Sequence, residues 1–497
     1  MAGNNAAVGS GNVVYGGELE HSNGPWDVGD NERKLDGVAR YVRGNSRNGI
    51  AVTAMGYHNS WRSTDQIPDR AIASRQIDRF GTIDSSDAGN TARYAVSAEW
   101  HTVGSSSTSR LMAYAEHYDL DLFSNFTYFL DDPEHGDQIE QRDNRSVAGA
   151  TATHSHFGTL FGKPSEYTAG VQLRFDDVHN GLYHTELRQR LGTTSLDDIH
   201  ESTLAPYVEN RTYWSDWLRT VVGLRADAFW FGVHNVIGGT SGDARGALLS
   251  PKVSVTLGPW RQTELYLDGG YGFHSNDARG VVARVDPATP LPRSIGGEIG
   301  ARTAAVHGLQ SSLSLWMLDL ASELVWDGDA GGNMPSGPTR RYGIELANFY
   351  SPTQWLTVDA DYSWSHARFT NSEPQGRFVP EALVSTFDGG VAMHDLRGTL
   401  NPWSGALRLR YFGPRPLTQD GAIQSKATTL LYAEAGYLIS ARWRLGVSVF
   451  NLLGSRSSDI DYYYRSRLPG EPTAGVADVH SHPAEPRDLR VSLTTQF

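Results

Sequence analysis

Polar and apolar residues alternate strictly at the end of the chain. From Leu489 to Phe497 the odd positions are Leu, Val, Leu, Thr and Phe, while the even positions from Asp488 are Asp, Arg, Ser, Thr and Gln. A period of two marks a strand with one apolar and one polar face. The same alternation recurs upstream. In 355–364 the even residues are Leu356, Val358, Ala360, Tyr362 and Trp364, and the odd ones after Trp355 are Thr357, Asp359, Asp361 and Ser363. In 218–230, Leu218, Val222, Leu224, Ala226, Ala228 and Trp230 share a face, opposite Arg219, Arg225 and Asp227. Arg408 and Arg410 alternate with Leu407, Leu409 and Tyr411. Such strands suit a water-soluble sheet, polar side out, or a membrane barrel, polar side in. Period alone does not separate the two.

Connection lengths do. Short connections near 45–48, 103–108, 259–260, 351–354 and 440–441 alternate with long polar ones near 22–33, 62–90, 179–200, 276–291, 414–426 and 453–486. Short turns at one end and long loops at the other are the pattern of a transmembrane β-barrel. A propeller or solenoid would instead repeat a fixed period. The walk predicts an all-β antiparallel barrel of about twenty strands, with both termini at the short-turn end, a disordered leader over 1–11 and the barrel over 12–497. Segments 111–130 and 313–326 read as single long strands, and no helical or second soluble domain is visible.

Bulk composition by itself would suggest a soluble protein, since only 39% of residues are hydrophobic and mean hydropathy is −0.41. No stretch approaches the roughly 18 consecutive apolar residues of a membrane helix. A barrel escapes that test, because only every second residue meets lipid. The 22 Tyr and 13 Trp suit membrane–water interfaces, and the 53 Gly suit turns and close strand contacts. There is no cysteine, hence no disulfide framework or thiolate site, and the net charge of −13 argues against nucleic acid. The first residues, Met1-Ala2-Gly3-Asn4-Asn5, carry no secretory signal pattern.

Several segments resemble TonB-dependent receptors, the ligand-gated transporters of the Gram-negative outer membrane. They are Gly270-Tyr271-Gly272-Phe273-His274-Ser275-Asn276-Asp277-Ala278-Arg279-Gly280, Gly223-Leu224-Arg225-Ala226-Asp227, Arg341-Tyr342-Gly343-Ile344-Glu345-Leu346, and Phe450-Asn451-Leu452-Leu453-Gly454. In the last, Leu453-Gly454 stands where the family usually has Phe-Asp. The loop from Asp459 to Glu471 and the aromatic C-terminus add to the likeness. The resemblance implies a 22-stranded barrel closed by a plug. It also implies uptake of a scarce ligand (siderophore, vitamin, metal chelate or sugar), driven through TonB in the intact protein. No plug-like or TonB-box sequence is visible here, so contact with the TonB complex is expected only through a missing plug. The rivals are a passive porin and, from another class, an outer-membrane barrel enzyme. Nothing forms a nucleophile elbow, Walker loop or zincin helix, so no catalytic residue, metal or cofactor is expected. The expected partners are outer-membrane lipid and a small-molecule ligand.

The candidate ligand surface is the aromatic and cationic run Tyr462, Tyr463, Tyr464, Arg465 and Arg467, which reads equally as an interface girdle or as loop packing. Phe497 is the candidate membrane anchor. The pairs His154/His156 and His480/His482 have the spacing of two metal ligands on one strand face, or of solvated loop histidines. Asp359, Asp361, Arg408 and Arg410 would line a permeation path or simply pair along the lumen wall. The haem-receptor boxes of the family are absent, and Asn401-Pro402-Trp403 echoes one of them only in part.

Overall fold

The computed structural model describes residues 2–327, 332–371, 376–394 and 401–496. Twenty-one strands form one antiparallel sheet in which each strand pairs with the next along the chain, from Ala2–Val8 to Asp488–Thr495. At one end of the barrel the connections are tight. Phe161–Gly162 and Arg261–Gln262 both take left-handed backbone, with φ of 50° and 76°, and of 50° and 61°. That is the hairpin geometry whose twist matches the flanking strands. At the other end most connections are long, and several carry structure of their own.

The alternation read from sequence is the alternation observed. Leu489, Val491 and Leu493 point outward and are 63%, 66% and 60% exposed. They stand in register with Val449, Val447 and Leu445 of the neighbouring strand. An apolar face left this open to its surroundings is what lipid requires and water would penalise. Exposed aromatics mark two heights. Trp217, Trp260, Trp403 and Trp443 lie at or beside the short turns; Phe175 and Trp230 lie further up, both in register with Ser202. Such rings are the usual girdles at the two interfaces. None of the described helices is long and apolar enough to cross a membrane, which leaves strand crossing untouched.

Several expectations need correction. Residues 2–8 are not a disordered leader but a strand, because they pair with 11–17 across the two-residue turn Gly9–Ser10. The strand count is therefore odd. Ala2 lies at the long-loop end and Thr495 at the short-turn end, so the two ends of the sheet are not on one side. The two edge strands run in the same direction, and no pairing joins them among the described residues. The segment 179–200 is no loop; Lys163–Glu186 and Gln189–Ser215 form one long hairpin around Leu187–Arg188. The long strand expected over 111–130 is Ser107–Ser124, after which the chain turns into a packed loop, and that over 313–326 is Leu309–Leu320 followed by a separate short strand, Glu323–Asp327.

The long-loop end is clasped by contacts between the two ends of the chain. The hairpin Ser458–Ser466 and Val476–Pro483 takes Ile67–Pro68 as a third strand. The Arg70 guanidinium donates to Glu471 (Nε–Oε1 2.8 Å), Ser466 Oγ (2.9 Å) and the Ser466 carbonyl (3.0 Å). Ile67, Ala71, Tyr128 and Leu468 make a small buried core beneath.

Candidate ligand-binding site

The Tyr and Arg run lies in this clasp. Because it is a strand, Tyr463 faces away from Tyr462 and Tyr464. Tyr464 stacks on His480 at 3.7 Å and 12°. His480 is fully buried; its Nδ1 donates to the Asp478 carbonyl and its Nε2 accepts from Ser466 Oγ at 2.7 Å. Burial pushes this imidazole down to about 3. Arg467 donates to the Phe129 and Glu471 carbonyls, and exposed Arg465 to the Ala474 carbonyl. His482 sits against Trp26 and Thr64, while His154 bonds Ser109 near the short-turn end. The described residues hold no group of three or more His, Asp or Glu placed for a metal ion. On the lumen wall Arg408 pairs with Asp359 at 2.7 Å and with Asp388, which also holds Arg410. Asp361 lies on the same face as Asp359. Phe497 lies outside the described residues.

A richer arrangement lies inside the barrel, below the loops. The strands Ile139–Leu160, Lys163–Glu186, Gln189–Ser215 and Leu218–Asn235 turn their polar faces inward there. The short helix Ala278–Val281 closes over them. Together they bound a half-open basin of about 740 Å³ whose charged lining residues are Arg145, Arg174, Arg225, Arg279, Asp143, Asp176, Asp277 and Glu201, set among apolar ones such as Leu173, Ile199 and Phe229. Each arginine is held by an aspartate two residues away. Arg174 reaches Asp176 through Nε at 2.7 Å and Nη2 at 2.6 Å, and Arg145 reaches Asp143 through Nε at 2.6 Å. Arg225 meets Asp227 at 2.8 Å and Gln172 at 2.7 Å. On a strand, residues two apart share a face, so these pairs are built into the period itself.

Arg279 belongs to the loop. It clamps Asp277 through two bonds (2.9 and 2.6 Å) and reaches Asn180 across the lumen at 2.9 Å. Burial disfavours the Asp277 charge, but the guanidinium outweighs it and holds the carboxyl below the usual range. Asp277 also caps the helix by accepting from Arg279 N–H. Beneath the helix, Val281, Val233, Phe231 and Ile199 pack together and fix its height. Sequence reasoning found Arg225, Asp227, Asp277 and Arg279 only as parts of motifs. The recurring Arg-x-Asp and Asp-x-Arg spacing on strands was the available signal for the basin.

Comparison with known proteins fits this geometry. The family model for the TonB dependent receptor-like β-barrel matches residues 21–452. No curated protein sequence matches the chain. Among solved structures, the ferric citrate transporter FecA in its unliganded form is similar over 100% of this chain and 74% of its own, at 14% identity and a TM-score of 0.80. The ferric-catecholate import receptor Fiu from E. coli K12 follows at 13% identity, 100% and 79% coverage, and a TM-score of 0.77. The siderophore receptor PiuA from Acinetobacter baumannii has 10% identity, 98% and 78% coverage, and a TM-score of 0.79. At such identities these likenesses speak for the fold; the family match covers most of the sequence. The chain belongs to the TonB-dependent receptor β-barrel family, whose members are outer-membrane barrels of Gram-negative bacteria.

Proposed function

We propose that this chain is the barrel of an outer-membrane receptor that imports a scarce small molecule, with the intact protein driven through TonB. The observation that carries the reading is the half-open basin below the clasped loops, with its four Arg–Asp pairs. A ligand arriving from outside would pass the loops and meet fixed donors and acceptors before the narrow part of the lumen. Tyr462, Tyr463 and Arg465 would stand at the rim, whereas Tyr464 and Arg467 support it from within. The barrel contributes the wall and binding groups, and no bond in the ligand is made or broken.

The test is uptake by a receptor-deficient strain complemented with the full-length gene, with and without an uncoupler of the proton gradient. Gradient-dependent accumulation that falls in an Arg174→Ala/Asp176→Ala variant is the expected outcome. The second reading, a passive porin, is favoured by the paired Arg408–Asp359–Asp388 wall. It predicts uptake that ignores the uncoupler.

A further inference from the structure

We infer that the lumen basin takes an uncharged, hydroxyl-rich solute of oligosaccharide type and rejects anionic chelates. This rests on the uptake reading above and names the ligand class of the same site. The argument begins with charge. Four guanidinium groups, those of Arg145, Arg174, Arg225 and Arg279, are each claimed by an aspartate. The aspartates of the three strand pairs are the inaccessible partners, with side chains 12% (Asp143), 9% (Asp176) and 0% (Asp227) exposed. Each guanidinium charge is thus already balanced by a carboxylate beside it, so an anionic ligand meets neutral pairs rather than free cations, and displacing one of these carboxylates would strand a buried charge. Glu201 adds a fifth carboxylate that makes no ion pair among the described residues; burial pushes it up to about 7, so near neutral pH it is part ionised and the basin offers an anion no net positive charge.

Hydrogen-bonding capacity points the same way. A guanidinium has five N–H donors and a carboxylate about four acceptor positions, so a two-bond pair leaves unused donors beside unused acceptors. A hydroxyl both donates and accepts. Neighbouring hydroxyls on a sugar ring therefore meet both needs of one Arg–Asp pair without breaking it. Tyr114 and Phe229 stand on the same lining and give it aromatic surface of the kind a sugar ring's C–H face packs on, Phe229 being braced by Phe231 and Phe273.

The experiment is equilibrium binding of purified full-length protein in detergent to maltotriose, sulfated maltotriose and ferric citrate. Glu201→Gln and Glu201→Arg are measured alongside, with heat-modifiable gel mobility as the folding control. Maltotriose should bind at least roughly tenfold more tightly than its sulfated form. Glu201→Arg should narrow or reverse that ratio, and Glu201→Gln should fall between. Equal or tighter binding of either anion by the unaltered protein, failure of maltotriose to bind, or a ratio indifferent to Glu201 would overturn the inference. Gradient-driven uptake of an anionic chelate without maltotriose binding would overturn it while leaving the uptake reading standing. Maltotriose binding with uncoupler-insensitive entry would do the reverse.

Discussion

At the scale of single residues, Tyr464 and His480 show how a side chain that looks like a ligand contact becomes a structural one. The Tyr464 hydroxyl is buried without a hydrogen-bond partner, so the ring is what the site uses. Tyr464→Phe should therefore leave the hairpin as stable or slightly more so, because an unsatisfied polar atom is removed. Tyr464→Ala should cost about 3 kcal/mol. Hydrogen exchange of residues 458–483 measures both. His480 gives a pH dependence of definite sign. Its folded value of about 3 lies below the ordinary imidazole value, so the unfolded chain binds the extra proton in mild acid. Its stabilising contribution is complete above about pH 6.5 and is lost as pH falls below that, reaching about 2 kcal/mol by pH 5. Exchange protection of the hairpin should drop between pH 7 and 5, and drop much less in His480→Phe. Sequence listed these residues but not their burial. The strand period alone already implied that three consecutive tyrosines do not all face one ligand.

At the scale of elements, legibility followed the lipid. Strands whose outward positions stay apolar, such as Leu218–Asn235 and Leu356–Phe369, were read with the correct face inward. The upper part of the hairpin around Leu187–Arg188 was missed because, beyond the apolar band, its outward positions become Asp177, His179, Asp198 and His200. There His179 pairs with Asp198 at 2.6 Å and His200 with Asp177 at 3.1 Å. Beyond the band the outward face turns polar while Val178 and Ile199 face inward and pack beneath the helix, so no single apolar face runs the length of either strand. Ala2–Val8, made of Ala, Gly, Asn and Val, has almost no amphipathic signal either. The last strand supplies the sharpest test of orientation. Val491 and Ser492 are adjacent and point to opposite faces, and a cation on the lipid side costs about 2–4 kcal/mol near mid-bilayer. Val491→Arg should lower folding yield into detergent or lipid far more than Ser492→Arg. Equal losses would mean the strand is turned the other way.

At the scale of the whole molecule, the apolar exterior and the clasped loops make separable claims. Full-length protein should fractionate with membranes and run at different gel mobility before and after boiling; a soluble, heat-indifferent product would contradict the barrel reading. Arg70→Ala should loosen the loop end by about 2 kcal/mol, since it removes a charge-assisted pair and several donors at once. Protection in 63–87 and 458–483 should fall together while the strands keep theirs. None of this clasp was visible in sequence, because its partners Arg70 and Glu471 lie 401 residues apart and neither sits in a recognisable pattern.

That separation also sets an order of events. Strand pairs along the sheet join near neighbours in the chain, so their contacts are local. The clasp is different, for Ile67, Arg70 and Tyr128 wait for partners beyond residue 457 that are made last. Contacts of such long sequence separation form late and slowly. The mouth of the receptor is therefore the final part to set, and a half-finished chain presents its early loops without their cover.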